Sequence, residues 1–391
     1  MKKIEVPLEV VILLVGGMAL VITGFLIFVA GRGLIPYYPN GFHGLLLVIF
    51  ALQTMMLGKT PFGDVRRSPV LIGIGAIIAA VGIVACFIPT FNRLPRVLLL
   101  ICFGPGGLVL LLQMLLARDK LRTWARYGGT LWHLVIACTA VYCLSILLCV
   151  LLWRGDAIPP FLMAATVLVD GIMVFYLVGV LGKVYRLYPV SEKSQKNVVL
   201  SADGTMLLFT GIFMVILGLM LIPVALGFLP FSASAQIGLL MVIFAVQMLA
   251  AGSTPIGPFT RSWLMVVFGL IFAALGIISC IVPGILVLPL TILVGVLNIL
   301  GGALALIRLL GTRLKAHRPR HAIPVVLTRL FAVQLVMNVL MIMFGVSMLV
   351  PGLVPGLIIG VILAANGGAL LYLLYILLLL DKMQAGSEAV I

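Results

Sequence analysis

Asp170 is the acidic residue that falls deepest inside a long apolar run of this sequence. It follows the start of its run by about ten residues, so an α-helix would place it roughly 15 Å from that end. A carboxyl group at this depth in a bilayer is costly, and such groups usually face protein or water and mark an ion or substrate pathway. Two interpretations follow. Asp170 is either a proton or cation site, or a neutral acid that is hydrogen-bonded to a neighbouring amide.

Amide side chains fall at similar depth in other apolar runs. They are Gln53, Gln247, Asn298, Gln334, Asn338 and Asn366. Such amides either line a substrate cavity or form hydrogen bonds between helices, which are worth about 0.6 kcal/mol each. Asn366 follows Asp170 by 196 residues, the same offset that separates Pro159 from Pro355. Because an amide occupies the matched position, we expect Asp170 to be structural and Asp170→Asn to be nearly silent.

Other chemistry-bearing residues do not form a recognisable site in the sequence. The six cysteines all fall inside apolar runs, where cysteine behaves as a small hydrophobe. The four histidines lack the spacing of metal ligands. No nucleophile elbow, phosphate-binding loop or carboxylate pair occurs. We therefore predict no enzyme, no metal site and no cofactor.

The elements that would position these residues are transmembrane helices. Hydrophobic residues make up 64% of the chain, charged residues 9%, and the mean hydropathy is +1.35. Apolar runs of about 16 to 25 residues are long enough to cross a bilayer, where every backbone polar group must be satisfied within its own helix. The sequence predicts an all-α polytopic membrane protein with helices near 7–30, 42–57, 69–88, 95–117, 131–153, 160–182, 204–226, 235–251, 262–282, 286–310, 325–349 and 355–380.

The formal net charge of +15 is an orientation signal and does not indicate nucleic-acid binding. Of the 25 Lys and Arg residues, all but Arg32, Arg93, Arg96 and Arg154 fall on one side of the predicted helices. The positive-inside rule then places both termini in the cytoplasm, with the chain in the cell inner membrane. Membrane lipids are the expected partners. The lipid-headgroup contacts are predicted in the basic segment at Arg118, Lys120, Arg122, Trp124 and Arg126.

A long segment of the chain, residues 47–89, recurs later in the sequence with many of the same residues. Gly58, Thr60, Pro61, Gly63, Arg67 and Ser68 recur 194 residues later as Gly252, Thr254, Pro255, Gly257, Arg261 and Ser262. A match at fixed offset through helix, loop and helix is typical of a duplicated unit. We predict two six-helix repeats, 1–190 and 191–391, related by an axis along the membrane normal. Short outer loops with Pro or Gly predict that each repeat is built from helical hairpins.

Two resemblances bear on function. The pattern of Gly269, Gly276, Pro283 and Gly284, followed by the segment 298–302, resembles the repeat of HdeD-type bacterial membrane proteins, a family associated with acid stress. That resemblance implies a non-catalytic role in envelope stress or as a subunit beside other membrane proteins. The six-plus-six layout is similar to that of major facilitator transporters, and 58–67 falls where those proteins have a basic loop. The alternative function is therefore secondary transport of a small solute.

Overall fold

Within the residues that the structure describes, twelve helices are long and apolar enough to cross a membrane. The computed structural model describes residues 7–91, 93–116, 128–154, 158–188, 200–254, 257–258, 262–315, 325–350 and 352–388. In chain order the helices are α1 Leu8–Ala30, α2 Pro39–Leu57, α3 Pro69–Phe87, α4 Arg93–Leu116, α5 Thr130–Arg154, α6 Pro160–Leu187, α7 Ala202–Ala225, α8 Ala233–Ala251, α9 Trp263–Ile281, α10 Val287–Lys315, α11 Val325–Leu349 and α12 Gly356–Glu388. The predicted all-α multi-pass fold is confirmed.

The helices form two compact units. The first comprises 1–200, 231–252 and 260–287, and so contains α1 to α6 with α8 and α9. The second comprises 201–230, 253–259 and 288–391, and contains α7 and α10 to α12. Within the first unit α2 and α8 are the central helices, because 78% and 89% of their most apolar segments are buried inside the protein. The division at 190 and the axis relating two halves stay predictions.

Glycines lie at the most extensive helix contact of the first unit, between α1 and α6. A Cβ atom on Gly24 would lie 2.7 Å from the backbone nitrogen of Leu168. A Cβ atom on Gly171 would lie 2.6 Å from the backbone nitrogen of Val21. Side-chain packing decides helix association in lipid, and small residues allow two backbones to approach this closely. The glycine pair therefore fixes α6 against α1.

Equivalent glycine contacts occur within the second unit, between α7 and α12. A Cβ atom on Gly218 would lie 2.3 Å from the backbone nitrogen of Ala364, and one on Gly367 would lie 2.6 Å from that of Val215. In both units the most extensive contact is thus between helices that are distant in sequence. The helix pairs that are adjacent in sequence are less extensively packed than these two pairs.

The duplicated loop adopts the same local structure at both of its positions. Helix α2 ends at Gly58 with φ of 69°, and a hairpin follows in which β1 (Lys59–Thr60) pairs antiparallel with β2 (Gly63–Asp64). At the second position β3 (Ser253–Thr254) pairs with β4 (Gly257–Pro258). Glycine adopts a positive φ without strain, which explains why Gly58 ends the helix.

Helix α4 is interrupted by a π-helical segment, Cys102–Gly106, which contains Pro105. Proline has no N–H to donate and its ring crowds the preceding turn, so a regular α-helix cannot pass through it unchanged. Single π turns relieve this conflict and are frequent at functional sites. Here the irregular turn borders the cavity described next.

Candidate functional site

A cavity of about 320 Å³ lies inside the first unit. It is enclosed by α1, α2, α4, α5 and α6, and by the β1–β2 hairpin at one end. Its polar lining residues are Glu9, Gln53, Lys59, Thr60, Asp64, Tyr142, Ser145 and Asp170. The volume falls within the range of pockets that bind small molecules, roughly 300 to 1,000 Å³.

Asp170 forms the deep end of the cavity. The residue is 2% exposed, and its Oδ1 atom has no hydrogen-bond partner among the residues that the structure describes. The next residue, Gly171, is the point of contact with α1, so the position of Asp170 is fixed by backbone packing. The neighbouring amide that would satisfy a purely structural carboxyl group is not bonded to Oδ1. Buried polar atoms in this state are few in native proteins and call for an explanation.

A cluster of three side chains lies at the hairpin end of the cavity. The Lys59 ammonium group donates a hydrogen bond to Glu9 Oε1 and forms an ion pair with it. The Tyr185 hydroxyl donates to Glu9 Oε2 at 2.5 Å. Glu9 belongs to the first turn of α1, Lys59 to β1 and Tyr185 to the last turns of α6. The mouth cluster, as we name these three residues, therefore joins three separate elements at the hairpin end of the cavity.

The hairpin is anchored on both of its sides. The Arg67 guanidinium donates through Nε to the Met55 carbonyl at 3.1 Å and through Nη2 to the Leu200 carbonyl at 3.0 Å. Burial lowers the pKa of Arg67 from its ordinary value. On the α4 side, Gln113 Nε2 donates to the Phe62 carbonyl at 2.9 Å. The Gln113 bond thus attaches the hairpin turn to α4, and the Arg67 bonds attach the segment after the hairpin to α2 and to Leu200.

The walls between the two ends are mainly apolar. Leu20, Leu46 and Ile49 line the cavity together with two aromatic rings, Phe50 and Phe103. The two ring centroids are 5.6 Å apart with planes at 70°, the edge-to-face arrangement that aromatic pairs prefer. Phe103 belongs to the π-helical turn of α4, which therefore supplies part of the wall. The site combines an apolar wall with a carboxyl group at depth.

The charges around the cavity are opposite in sign to those of the whole chain. Three of the ten acidic residues, Glu9, Asp64 and Asp170, line it. Lys59 is the one basic residue among its described lining residues, and it is paired with Glu9. A chain with a formal net charge of +15 thus contains a cavity whose lining is acidic. Such a lining favours cations.

The structure brings together two of the predicted polar residues and separates the others. Gln53 and Asp170 line the same cavity. Gln247 is half-buried on α8 and is absent from that lining. In the second unit, Asn298 Nδ2 donates to the Val294 carbonyl one turn earlier, at 2.8 Å, and Asn366 is half-buried on α12. The predicted headgroup contacts Arg118, Lys120, Arg122, Trp124 and Arg126 lie outside the described residues.

The mouth cluster is the part of the site that sequence reasoning missed. The sequence contains two signals for it: Glu9 interrupts an apolar run near the start of that run, and Lys59 lies in the duplicated loop. Their pairing spans 50 residues, and the bond from Tyr185 spans 176. Nothing in local periodicity indicates contacts of that separation.

Comparison of the chain with models of protein families, with curated proteins and with solved structures finds no match. The resemblance to HdeD-type proteins therefore stays a prediction. The twelve apolar helices define a multi-pass membrane protein.

Proposed function

We propose that the protein is a secondary transporter of a small solute and that the cavity of the first unit receives this solute. The observation that carries the proposal is a cavity of about 320 Å³ that is lined both by the β1–β2 hairpin and by a buried carboxyl group. Polar groups inside a membrane protein are expensive and mark solute pathways. A lining with acids at both ends fits a pathway better than a packing fault.

The mouth cluster supports the proposal because its ion pair joins β1 to α1, and a movement of these two elements apart would break it. Lys59 is 41% exposed in its side chain while Glu9 is 10% exposed, so one partner is close to water. Separation of α1 from β1 would release the ion pair and widen the opening. Alternating access in secondary transporters proceeds by such movements of packed elements around a fixed binding site.

The sequence alone placed a non-catalytic HdeD-type role before transport. A subunit that serves only for assembly has no need of an internal cavity that ends at an unpartnered carboxyl oxygen. We therefore place transport first. The second half of the sequence strengthens this choice, because it has Ser253, Pro258 and Asn366 where the first half has Lys59, Asp64 and Asp170, at offsets of 194, 194 and 196. Charged side chains occupy these three positions in the first half, and uncharged residues occupy them in the second.

Alternating access is testable without knowledge of the solute. Cys102 lines the cavity in the π-helical turn of α4. A variant that retains Cys102 and has alanine at the other five cysteines is reconstituted in oriented vesicles and treated with a membrane-impermeant maleimide from each side in turn. A transporter exposes its cavity to both sides in different states, so we expect labelling from both. Labelling from one side alone under all conditions would contradict the proposal.

The matched control retains Cys86 in place of Cys102. Cys86 is 0% exposed in the packed interface of α2 and α3, and it is absent from the cavity lining. We expect this variant to remain unlabelled from either side. Labelling of Cys86 at the rate of Cys102 would show that the reagent reports local unfolding, and the cavity assay would then count against the proposal.

A further inference from the structure

We infer that the cavity binds a small organic cation, with Asp170 as the anionic group that pairs with the guanidinium or ammonium of the ligand. The inference rests on the proposed function in taking a small solute as the occupant. It adds the chemical class of that solute. Four properties of the site favour this class of ligand: the deep carboxyl group, the acidic lining, the apolar walls and the small number of metal-type ligands.

The first property is the hydrogen-bonding state of Asp170. Asp170 lines the cavity, and its buried Oδ1 atom has no partner within the described part of the chain. A carboxylate accepts hydrogen bonds at both oxygens, and a buried acceptor without a donor is costly. A guanidinium group donates two parallel hydrogen bonds to a carboxylate, and an ammonium group donates at one point. A ligand of this class supplies the missing donors.

The second property is the sign of the charge along the path to Asp170. Glu9 and Asp64 lie at the hairpin end, and Lys59 is engaged with Glu9. A cleft lined by one sign of charge with low-dielectric walls raises the local concentration of the opposite ion. An anionic solute would meet three carboxyl groups with no uncompensated cation among the described lining residues. A cation is therefore the favoured class.

The third property is the character of the walls. Leu20, Leu46, Phe50 and Phe103 present apolar surface between the two acidic ends. Burial of an apolar group of the ligand against such surface is favourable. Aromatic rings also attract an organic cation through the negative face of the ring. The ligand is accordingly amphipathic, with its charged group at Asp170 and its apolar group against these walls.

The fourth property distinguishes an organic cation from a metal ion. Calcium takes about six to eight oxygen ligands and magnesium requires a near-ideal octahedron. The described residues contain no group of three or more His, Cys, Asp or Glu side chains placed to hold a metal. Apart from its charged residues, the polar lining consists of single hydroxyl and amide groups such as those of Ser145 and Gln53. Such a set suits one organic cation.

The test compares benzylguanidinium with benzylurea, which has nearly the same shape and no charge. The purified full chain in detergent is titrated with each probe, and the melting temperature is followed because a ligand that binds the folded state raises it. We expect a saturable rise with benzylguanidinium and at least a tenfold weaker effect with benzylurea. Equal effects of the two probes, or none with benzylguanidinium, would overturn the inference.

The matched pair of variants is Asp170→Asn and Asp203→Asn. Both remove one carboxylate by the same chemical change, and Asp203 lies exposed in the first turn of α7, outside the cavity lining. We expect Asp170→Asn to weaken benzylguanidinium binding at least tenfold and Asp203→Asn to leave it unchanged. Unchanged binding in Asp170→Asn would refute the role of Asp170.

A measurement on the unaltered Asp170 keeps the test decisive if Asp170→Asn does not fold. In the variant that retains Cys102, benzylguanidinium should slow maleimide labelling at least fivefold, and benzylurea should not. Absence of protection would overturn the inference. The two proposals fail separately: labelling of Cys102 from both sides without protection by the cation leaves transport standing and removes this ligand class. Protection with labelling from one side alone leaves the binding site standing and removes transport.

Discussion

Gly171→Ala should destabilise the protein although it adds one methyl group. Gly171 lies beside Asp170 at the closest contact of α6 with α1. The new Cβ atom would lie 2.6 Å from the backbone nitrogen of Val21 and 2.9 Å from Leu20 Cβ. Ordinary contacts begin at 3.4 Å, so the helices must separate locally by roughly 0.8 Å. Backbone cannot rotate away as a side chain can.

The expected cost follows from that separation. Insertion of a methyl group into a packed interior costs about 1 to 3 kcal/mol when neighbours must shift. The control is Gly179→Ala, two turns further along the same helix, where a Cβ atom would meet nothing within 4 Å. Replacement of glycine by alanine in a helix stabilises it by up to about 1 kcal/mol when no clash occurs. The same chemical change in one helix should thus have opposite signs at the two positions.

The assay is reversible unfolding in mixed micelles with increasing SDS, followed by circular dichroism. Gly171→Ala should unfold at a lower SDS fraction than wild type, and Gly179→Ala at the same or a higher fraction. Because Leu20 lines the cavity, Gly171→Ala should also weaken benzylguanidinium binding. Equal midpoints for the two variants would refute the claim that backbone contact at Gly171 fixes α6 against α1.

Two further predictions concern the mouth cluster and the orientation of the chain. Lys59→Met should lower the melting temperature, because it leaves the nearly buried Glu9 carboxylate without its ion-pair partner. Adding Glu9→Gln to the Lys59→Met variant should restore part of that loss, whereas a double variant whose destabilisation equals the sum of the two single effects would contradict the pairing. A reporter fused after Ile391 should be cytoplasmic, because all but four of the 25 basic residues fall on the predicted inner side; periplasmic activity of the fusion would refute the topology.

The number of the helices and most of their ends could be predicted from the sequence because they depend on local properties. The C-terminal ends of α6, α10 and α12 lie five to eight residues beyond the predicted positions 182, 310 and 380. Run length and hydropathy determine which segments cross a bilayer. Turn chemistry is also local, and the recurrence of Gly58 as Gly252 correctly indicated that one loop structure occurs twice. These features require no knowledge of which helix lies beside which.

Helix neighbours could not be predicted in the same way. Lipid is as apolar as leucine, so hydropathy does not specify which helix faces lipid and which faces protein. The contact of Gly24 with Leu168 depends on shape complementarity between segments far apart in the chain. The cavity results from such contacts. The type and depth of Asp170 single it out in the sequence, where the matched Asn366 favoured a structural role. Its unpartnered oxygen, which favours a ligand-binding role, and the mouth cluster became visible with the packing.

The most direct test of the account is uptake of labelled benzylguanidinium into proteoliposomes that contain the full-length protein. Its permanent charge limits leakage across the lipid, so uptake reports on the protein. The account predicts saturable uptake by wild type and by Asp203→Asn, and at least a tenfold lower rate for Asp170→Asn reconstituted at equal density. Uptake by Asp170→Asn at the wild-type rate, or no uptake by wild type above protein-free liposomes, would contradict it.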